Sequence, residues 1–358
     1  MPRALQGVGT LYALGTRAVA DLVVAHTAES LSPTDLRLFL RLFFRSGLAA
    51  RADLALVFPS GAASRFNRLI VRERDSFVEL LSRYRSDGNL TTLPTGFDPT
   101  HFAKSGKKGT DSGEPIWGRR NRGNSSESDG LSYGSVVGFD ADELDPENAL
   151  SGFLDHVPMG LRRWACYPML LGRVWRNFKN VILVDIKDVL LLGDPLGRVK
   201  NHSPESVFLK GLAAQSSSGK HGRRNSEKSE WTRKNSVDPG VVMGGLKGVR
   251  RFSNAMLTDI VRFSIQHRKK KNSVTESSIF NHLVGNEHVL KDVNLVVSAE
   301  SLPEVSSLAL SGSKPGSHLF SKNYGVIRRG NSNLDLISSM VMKHICSFPI
   351  DSKVYSDC

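Results

Sequence analysis

The apolar positions of the first sixty residues repeat with two different periods. Residues 21–28 (DLVVAHTA) form a short run rich in β-branched side chains, which is typical of a strand. The segment 32–47 begins with Ser-Pro-Thr-Asp, carries Leu and Phe at helical spacing and ends at Gly47, which predicts a helix with a serine N-cap. Residues 53–58 (DLALVF) predict a buried strand. A strand, a helix and a strand in this order indicate a parallel pair with a right-handed crossover.

Further elements alternate along the rest of the chain. Apolar runs bounded by turn-forming or polar residues predict strands over 135–139, 180–185, 206–209 and 237–243. Apolar positions at helical spacing predict helices over 75–84, 252–263 and 336–345. Pro168 should split a pair of helices, because proline removes one amide donor and crowds the preceding turn. Gly244-Gly245 is typical of a turn.

Three segments lose all periodicity and are rich in small, polar and basic residues. They are 100–132, 213–236 and 301–318. Because such a composition cannot support a packed core, we expect flexible insertions within a single domain that spans residues 1–358. The predicted fold class is therefore α/β, with a Rossmann-like, mostly parallel mixed sheet flanked by helices and interrupted by disordered insertions.

The formal net charge of +13 suits an anionic partner, so the location of the charge matters. Much of it lies among Ser, Gly and Asn in predicted loops, at 107–108, 119–120, 223–224 and 268–271. These groups have no interleaved aromatic residues of the kind that stack on bases. Solvated loops are therefore favoured over a nucleic-acid groove.

The cysteines and the lengths of the apolar runs limit the surroundings of the chain. Cys166, Cys346 and Cys358 cannot all pair with each other, and their spacing matches neither a zinc site nor a small disulfide framework. A reduced interior and a single bridge both stay open. No stretch reaches the roughly 18 apolar residues that cross a bilayer, so we expect a soluble chain as given. The first strand signal comes close to Met1, a start that is compatible with a missing upstream anchor.

The sharpest chemical pattern is VILVDIKDVLLLGDPLG, which places Asp185, Asp188 and Asp194 around the carboxyl end of the strand predicted over 180–185. Open α/β sheets bind ligands at that edge. Closely spaced carboxylates there can hold Mn²⁺ or Mg²⁺, which prefer hard oxygen ligands together with substrate phosphate. The alternative is that these aspartates cap turns and that Asp194-Pro195 begins a tight loop. Spacing alone leaves both interpretations open.

Three blocks in this order resemble the motifs of GT-A-fold glycosyltransferases, the nucleotide-diphospho-sugar transferase superfamily. VILVDIKDVLLLGDPL resembles the hydrophobic strand of the family with its Asp-x-x-Asp-Val and Asp-Pro. DPGVVMG at 238–244 resembles the acceptor-side strand, and TESSIFNHL at 275–283 resembles the Asp-Gln-x-x-Phe-Asn helix. The motif resemblance covers about residues 130–300, within which 131–195 is also similar to a plant family of uncharacterised proteins.

The resemblance implies a nucleotide-diphosphate-sugar donor, an unknown acceptor and a divalent cation on Asp185 and Asp188. It implies that Glu276 is the acceptor base or a donor-sugar contact and that Asp238 and Gly240 shape the acceptor side. The location that it suggests is the Golgi.

A run of arginines precedes the predicted metal strand on a helix. Arg162, Arg163, Arg173 and Arg176 can reach a diphosphate, since guanidinium forks match phosphate oxygens. The alternative is that they pair with local acids. Arg173 and Arg176 are taken as candidate substrate-binding residues.

Several departures from the family pattern favour a second function. Asp238 stands where Asn is usual, Glu276-Ser277 replaces Asp-Gln, and Lys187 lies inside the Asp-x-x-Asp loop, where its ammonium would compete with a metal. The late His-x-x-Gly-x-x-Lys-Pro segment is missing. These departures favour a non-catalytic GT-A-like scaffold or regulatory protein with phosphorylatable basic loops, whereas Asp185 and Asp188 favour the enzyme.

Overall fold

A computed structural model describes residues 1–86, 97–103, 113–118, 130–211, 236–266, 275–286, 288–305, 325–330 and 334–358. The strands are β1 (Arg3–Leu5), β2 (Val8–Ala13), β3 (Asp21–His26), β4 (Ala52–Phe58), β5 (Val136–Asp140), β6 (Asn180–Asp185), β7 (Val189–Leu191), β8 (Ser206–Gly211), β9 (Val237–Gly245), β10 (Asn294–Ser301) and β11 (Val326–Arg328). The helices are α1 (Pro33–Arg45), α2 (Ala63–Ser86), α3 (Ala141–Leu144), α4 (Met159–Val174), α5 (Leu246–Gln266), α6 (Glu276–Val284), α7 (Leu334–Cys346) and α8 (Pro349–Val354).

Nine strands form one sheet in the order β1-β2-β5-β4-β3-β6-β9-β8-β10, and β7 pairs with β11 in a second sheet. The central neighbours β5, β4, β3 and β6 are all parallel. Strand β9 runs antiparallel to both β6 and β8, and β2 runs antiparallel to both β1 and β5. Within this sheet, β2 and β9 oppose the common strand direction, so the predicted mostly parallel mixed sheet is confirmed.

Helices cover both faces of the sheet and give two cores. Val23 and Ala25 of β3 point into the core with α1, α2 and α7, whereas Leu22 and Val24 point into the core with α4, α5 and α6. All four side chains have 0% exposure. Because alternate residues of a strand face opposite sides, a strand covered on both faces must be apolar throughout, which is why β3 reads as a continuous run.

The predicted β3-α1-β4 unit is confirmed, and its helix starts where the capping signals place it. The Ser32 hydroxyl accepts a hydrogen bond from the Asp35 amide at 3.1 Å, the Asp35 carboxylate reaches back to the Ser32 amide, and Pro33 opens the helix. This reciprocal capping satisfies amides that have no partner within the helix. The chain then returns through β4, which lies parallel to β3.

Two local predictions are wrong because packing outweighs them. Helix α4 continues through Pro168, since the turns around it bury Trp164, Tyr167 and Leu171 completely and this burial offsets the lost amide bond. Gly244 and its neighbour belong to β9 and make no turn.

Other elements extend beyond their predicted bounds. Helix α2 begins at Ala63, well before the predicted start, and β1 and β2 form a hairpin that the sequence reading missed. Most of the three predicted insertions lies outside the described residues, as do the basic groups at 107–108, 119–120, 223–224 and 268–271. Phe102 and Trp117 of the first insertion are described, and both are fully buried.

Ion pairs connect the carboxyl-terminal segment to α1, and a disulfide links Cys346 to Cys358. The buried guanidinium of Arg41 binds Glu73 and Asp357, and Arg45 binds Asp351. Cys346 and Cys358 form the single bridge that the sequence left open, and Cys166 is a buried free thiol. None of the described helices combines the length and apolarity needed to cross a bilayer.

We expect Gly244→Ala to destabilise the protein, because a Cβ on Gly244 would lie 2.2 Å from the carbonyl oxygen of Ser206. Such overpacking costs roughly 1–3 kcal/mol or more. Urea unfolding measures the change. The matched control is Gly172→Ala in α4, where a Cβ meets no atom within 4 Å and the gain in helix propensity should stabilise by up to about 1 kcal/mol. Equal effects of the two substitutions would contradict the packing described.

Candidate functional site

A group of polar side chains converges at the carboxyl edge of the central parallel strands. His26 and Asp185 are the last residues of β3 and β6 and lie side by side in the strand register. The first turn of α4 brings Arg163 over them, and α6 contributes Glu276 at its first position. Because neighbouring parallel strands end at the same edge, these side chains lie at the ligand-binding edge expected of an open α/β sheet.

Arg163 is the centre of this group and has only 2% side-chain exposure. Its Nε and Nη2 donate to Oε1 of Glu276 at 2.8 and 2.5 Å, and Nη2 also donates to the Pro239 carbonyl at 2.9 Å. Its Nη1 lies 2.9 Å from Nδ1 of His26. The Trp164 indole donates to the same Glu276 oxygen at 2.6 Å. Glu276 is therefore held by three donors on one oxygen.

His26 is buried and contacts both Arg163 and Asp185. Burial and the Arg163 charge lower the pKa of His26, although Asp185 opposes them, so the imidazole is neutral near pH 7. Its Nδ1 faces the Arg163 guanidinium and the Tyr167 hydroxyl, 2.8 Å away. Nη1 of Arg163 also lies 2.6 Å from Nε2, so the guanidinium does not fix the tautomer. A carboxylate only accepts, and Asp185 Oδ2 lies 3.0 Å from Nε2, which assigns the proton to Nε2 and leaves Nδ1 to accept.

Asp185 is ionised and uses both of its oxygens. Oδ1 accepts from the Lys187 amide at 2.8 Å, and Oδ2 accepts from His26. Burial opposes ionisation, but His26, Arg163 and the amide hydrogen bond outweigh it and hold the pKa of Asp185 well below its usual range. The Lys187 ammonium points away and binds the Ser30 hydroxyl at 2.9 Å, so it does not compete for this carboxylate.

A second cluster of charge lies beside the first. Asp188 is exposed, and no hydrogen bond to its carboxylate occurs within the described part of the chain. Partial removal from water, together with the charges of Asp185 and Asp238, raises the pKa of Asp188 to about 6. Asp238 is buried and accepts from the Gly240 amide at 2.8 Å. The Arg328 guanidinium balances Asp238, with Nε 3.3 Å from Oδ2.

The late segment 325–330 closes this side of the site. Strand β11 pairs antiparallel with β7, directly after the aspartate loop. The Arg329 amide donates to the Asp188 carbonyl at 2.7 Å, and its buried side chain binds Asp35 and Ser338. This backbone pairing is what places Arg328 against Asp238.

A cavity of about 210 Å³ lies next to His26, between the chain segments that follow β3 and β4. Its wall includes Thr27, Ser60, Arg65 and Phe66. The Thr27 hydroxyl is fully buried, and no described residue gives it a hydrogen-bond partner. Because this hydroxyl is buried, it does not open onto the cavity, and the exposed residues Ser60 and Arg65 form the polar part of the wall.

The fit of the site to a divalent cation depends on its carboxylates. No three His, Cys, Asp or Glu side chains of the described residues converge in the manner of a metal centre. Asp185 and Asp188 still offer two hard oxygen donors, and the raised pKa of Asp188 arises partly from like charge that a cation would relieve. Mg²⁺ is commonly held by one or two carboxylates plus phosphate and water. The cation at Asp185 and Asp188 stays a prediction.

Most predicted site residues meet in the structure, but two do not. Asp185, Asp188, Asp238, Gly240 and Glu276 lie together at the carboxyl edge. Arg173 and Arg176 are exposed at the opposite end of α4, because ten residues of helix separate Arg173 from Arg163 by about 15 Å. The structure does not bring them together with these carboxylates, and their assignment to a diphosphate stays a prediction.

The sequence left two alternatives open for Arg162 and Arg163, a contact with a diphosphate and a pairing with local acids. Arg162 pairs with the local acids Asp142 and Asp145, as the alternative predicted. Arg163 lies in the site.

Three residues of the site were missed from sequence. The sequence carries a signal for His26, because this residue is a polar residue at the end of an apolar strand, as Asp185 is. Tyr167 follows Arg163 by one helical turn, but it reads as an ordinary core residue. Arg328 had no signal, because its position depends on the pairing of β11 with β7.

The mixed sheet and its polar carboxyl edge define an α/β protein of the predicted class. The chain belongs to the family described as domain of unknown function DUF7780, which matches residues 2–301. No curated protein sequence matches it. The resemblance to a plant family stays a prediction, as does the Golgi location.

Solved structures similar to this chain include three glycosyltransferases. Galactosyltransferase LgtC, in complex with donor and acceptor sugar analogues, has 11% identity and a TM-score of 0.45, with 90% of this chain and 95% of that chain covered. Mouse xyloside xylosyltransferase 1 has 12% identity and a TM-score of 0.42, with 88% and 99% covered. Glycosyltransferase GlyE of Streptococcus pneumoniae TIGR4 has 10% identity and a TM-score of 0.35, with 79% and 45% covered.

We expect Arg163→Met to lower the free energy of unfolding by about 3–5 kcal/mol, because it leaves buried charge without its partner. Urea unfolding measures the loss. The double variant with Arg163→Met and Glu276→Gln should recover part of the lost free energy of unfolding, because it also removes the charge left without a partner. The effects of substitutions within one buried network are not additive. The control is Arg173→Met on the exposed face of the same helix, with an expected change within about 0.5 kcal/mol. A similar loss in both arginine variants would contradict the network.

Asp188 predicts a pH dependence of stability. Its folded pKa of about 6 exceeds the unfolded value of about 3.9, so the folded state binds this proton more tightly. The contribution of Asp188 to stability is therefore present at low pH and is lost as pH rises through about 6. Asp188→Asn lacks this titration and should gain stability over the wild type between pH 4 and pH 8, measured by urea unfolding. A difference that does not change with pH would refute the assignment.

Proposed function

We propose that this protein is a glycosyltransferase that binds a nucleotide-diphosphate sugar and transfers the sugar to an acceptor. The observation that carries the proposal is the meeting of a charged network and a polar cavity at one edge of the sheet. His26, Asp185, Arg163 and Glu276 are held together there by hydrogen bonds, and the cavity is lined by the residues that follow β3 and β4, beginning with Thr27 next to His26 in the chain. The three sequence motifs support the same reaction class.

Each part of the site has a place in this reaction. The cavity takes the nucleoside, because Ser60 and Arg65 in its wall offer hydrogen bonds and Phe66 offers an apolar wall. The diphosphate lies toward Asp185 and Asp188. Arg328, whose charge already acts on Asp188, can exchange Asp238 for a phosphate oxygen, since guanidinium groups bind phosphate strongly.

Mn²⁺ or Mg²⁺ on Asp185 and Asp188 is part of the proposal. When bound, such a cation neutralises the charge that develops on the leaving diphosphate. The carboxylates of this chain hold the donor, and the buried Arg163 keeps Asp185 ionised for that task. Catalysis then rests on positioning and on stabilisation of the leaving group.

The acceptor side is formed by Glu276, Asp238 and Gly240. Oε1 of Glu276 is occupied by three donors, which leaves Oε2 to contact an acceptor hydroxyl or the donor sugar. Gly240 lies close to Asp188, since a Cβ added to it would be 3.8 Å from the Asp188 Cβ. The glycine thus leaves room beside the carboxylates for a substrate.

The test is thermal and chemical unfolding with UDP, GDP, CDP, ADP and their sugars, with and without MnCl₂. A ligand that binds only the folded state at about one hundred times its Kd stabilises by about 2.7 kcal/mol. Arg65→Ala should weaken nucleotide binding, because it removes a guanidinium from the cavity wall, and should change the stability of the free protein by no more than about 0.5 kcal/mol, because Arg65 is exposed. Asp188→Ala should remove the part of the stabilisation that depends on Mn²⁺.

Asp292→Ala, an exposed carboxylate elsewhere, is the control and should behave as the wild type. If no nucleotide stabilises the folded protein, the non-catalytic scaffold is the better reading and the transferase proposal fails. The phosphorylatable basic loops of that alternative lie outside the described residues.

A further inference from the structure

The opposite edge of the sheet carries a second cavity, of about 340 Å³, which we call the amino-edge cavity. It is lined by Arg17, Asp21, Arg51, Lys179, Asn180 and Lys200, among others. Asp21 and Asn180 are the first residues of β3 and β6, whose last residues are His26 and Asp185. The length of two strands therefore separates this cavity from the candidate active site, about 17 Å at the usual rise per residue.

Four cations from four separate parts of the chain meet at the amino-edge cavity. Among the described residues, the carboxylates that pair with these cations are Asp21 and Asp194. Asp21 accepts from Arg51 Nε at 2.8 Å and from the Asn180 amide at 2.8 Å, and Arg51 also binds Asp194. Both acids are thus committed to the same guanidinium. No carboxylate of the described residues lies within ion-pair distance of Arg17, Lys179 or Lys200.

This arrangement explains the third aspartate of the motif VDIKDVLLLGDPLG. Asp194 does not join Asp185 and Asp188. It caps the short 3-10 helix Pro195–Arg198, accepting from the amides of Leu196 and Gly197 at 3.0 and 3.2 Å, and holds Arg51. The motif therefore supplies carboxylates to both edges of the sheet, and its last aspartate positions Arg51 in the wall of the amino-edge cavity.

The charge balance points to an anion. Four cations against two carboxylates leave an excess of two positive charges around one cavity. Like charges gathered at short range repel each other unless a counter-ion joins them. A cavity of this volume is within the range of small-molecule sites, and ammonium and guanidinium groups are the usual phosphate ligands.

We propose that the amino-edge cavity binds a small phosphate-bearing molecule, independently of the transferase site. Arg17, Lys179 and Lys200 contact the phosphate oxygens, and Arg51 stays fixed by Asp21 and Asp194 as part of the wall. Four cations around one cavity of about 340 Å³ favour a small anion over a nucleic-acid strand, which requires a groove that follows the backbone.

The experiment is calorimetric titration of the full chain with inorganic pyrophosphate at constant ionic strength, in EDTA so that no metal complex forms at Asp185 and Asp188. Lys179→Ala combined with Lys200→Ala should weaken Kd by at least about tenfold, since two charged hydrogen bonds are lost. Lys291→Ala combined with Lys353→Ala removes the same charge from exposed positions elsewhere and should leave Kd unchanged. Added NaCl should weaken binding in both the wild type and this control.

Unliganded stability gives an independent readout. Removing Lys179 and Lys200 relieves repulsion, so the Tm of the free double variant should be equal to or above that of the wild type. No saturable pyrophosphate binding, equal Kd values in the two double variants, or binding of an oligonucleotide in place of pyrophosphate would each overturn the proposal. Arg65→Ala should leave pyrophosphate binding intact, which separates this result from the success or failure of the transferase proposal.

Discussion

Arg163 is buried with its guanidinium bonded to His26, to Glu276 and to the Pro239 carbonyl. Burying an unpaired charge costs several kcal/mol, and the cost is offset only when the surrounding groups satisfy the donors. Those groups come from β3, α6 and β9, which are far apart along the chain. These contacts fix the position of the amino-terminal part of α4, and they also orient His26 toward Asp185. The rest of the candidate site is built around this buried cation.

The two edges of the central sheet have opposite electrostatic character. At the carboxyl edge, partial burial and the neighbouring charges of Asp185 and Asp238 raise the pKa of Asp188 to about 6, and a cation or a guanidinium relieves such an environment. At the amino edge, cations exceed carboxylates around the cavity that includes Arg17 and Lys200. Both edges are made by the same strands, because β3 runs from Asp21 to His26. A chain with a net charge of +13 thus places Asp185, Asp188 and Asp238 together at one edge of its sheet.

The late part of the chain completes the site without contributing to the main sheet. Strand β11 pairs with β7 immediately after the aspartate loop and so presents Arg328 to Asp238. The following helices are fastened to α1 by Arg41 and Arg45 and by the Cys346–Cys358 bridge. A cation from the late segment therefore stands beside the carboxylates.

The sequence by itself determined the elements whose signals are local. The capping residues at Ser32, the apolar runs of β3 and β6 and the position of Asp185 at a strand end follow from patterns within a few residues. Only the tertiary structure decided which residues meet there, because His26 and Asp185 are 159 residues apart along the chain and their contact depends on strand order and register. Local rules failed where long-range burial was stronger, as at Pro168 inside α4. Periodicity reports which face of an element is apolar, whereas the chemistry of a site depends on which faces are brought together.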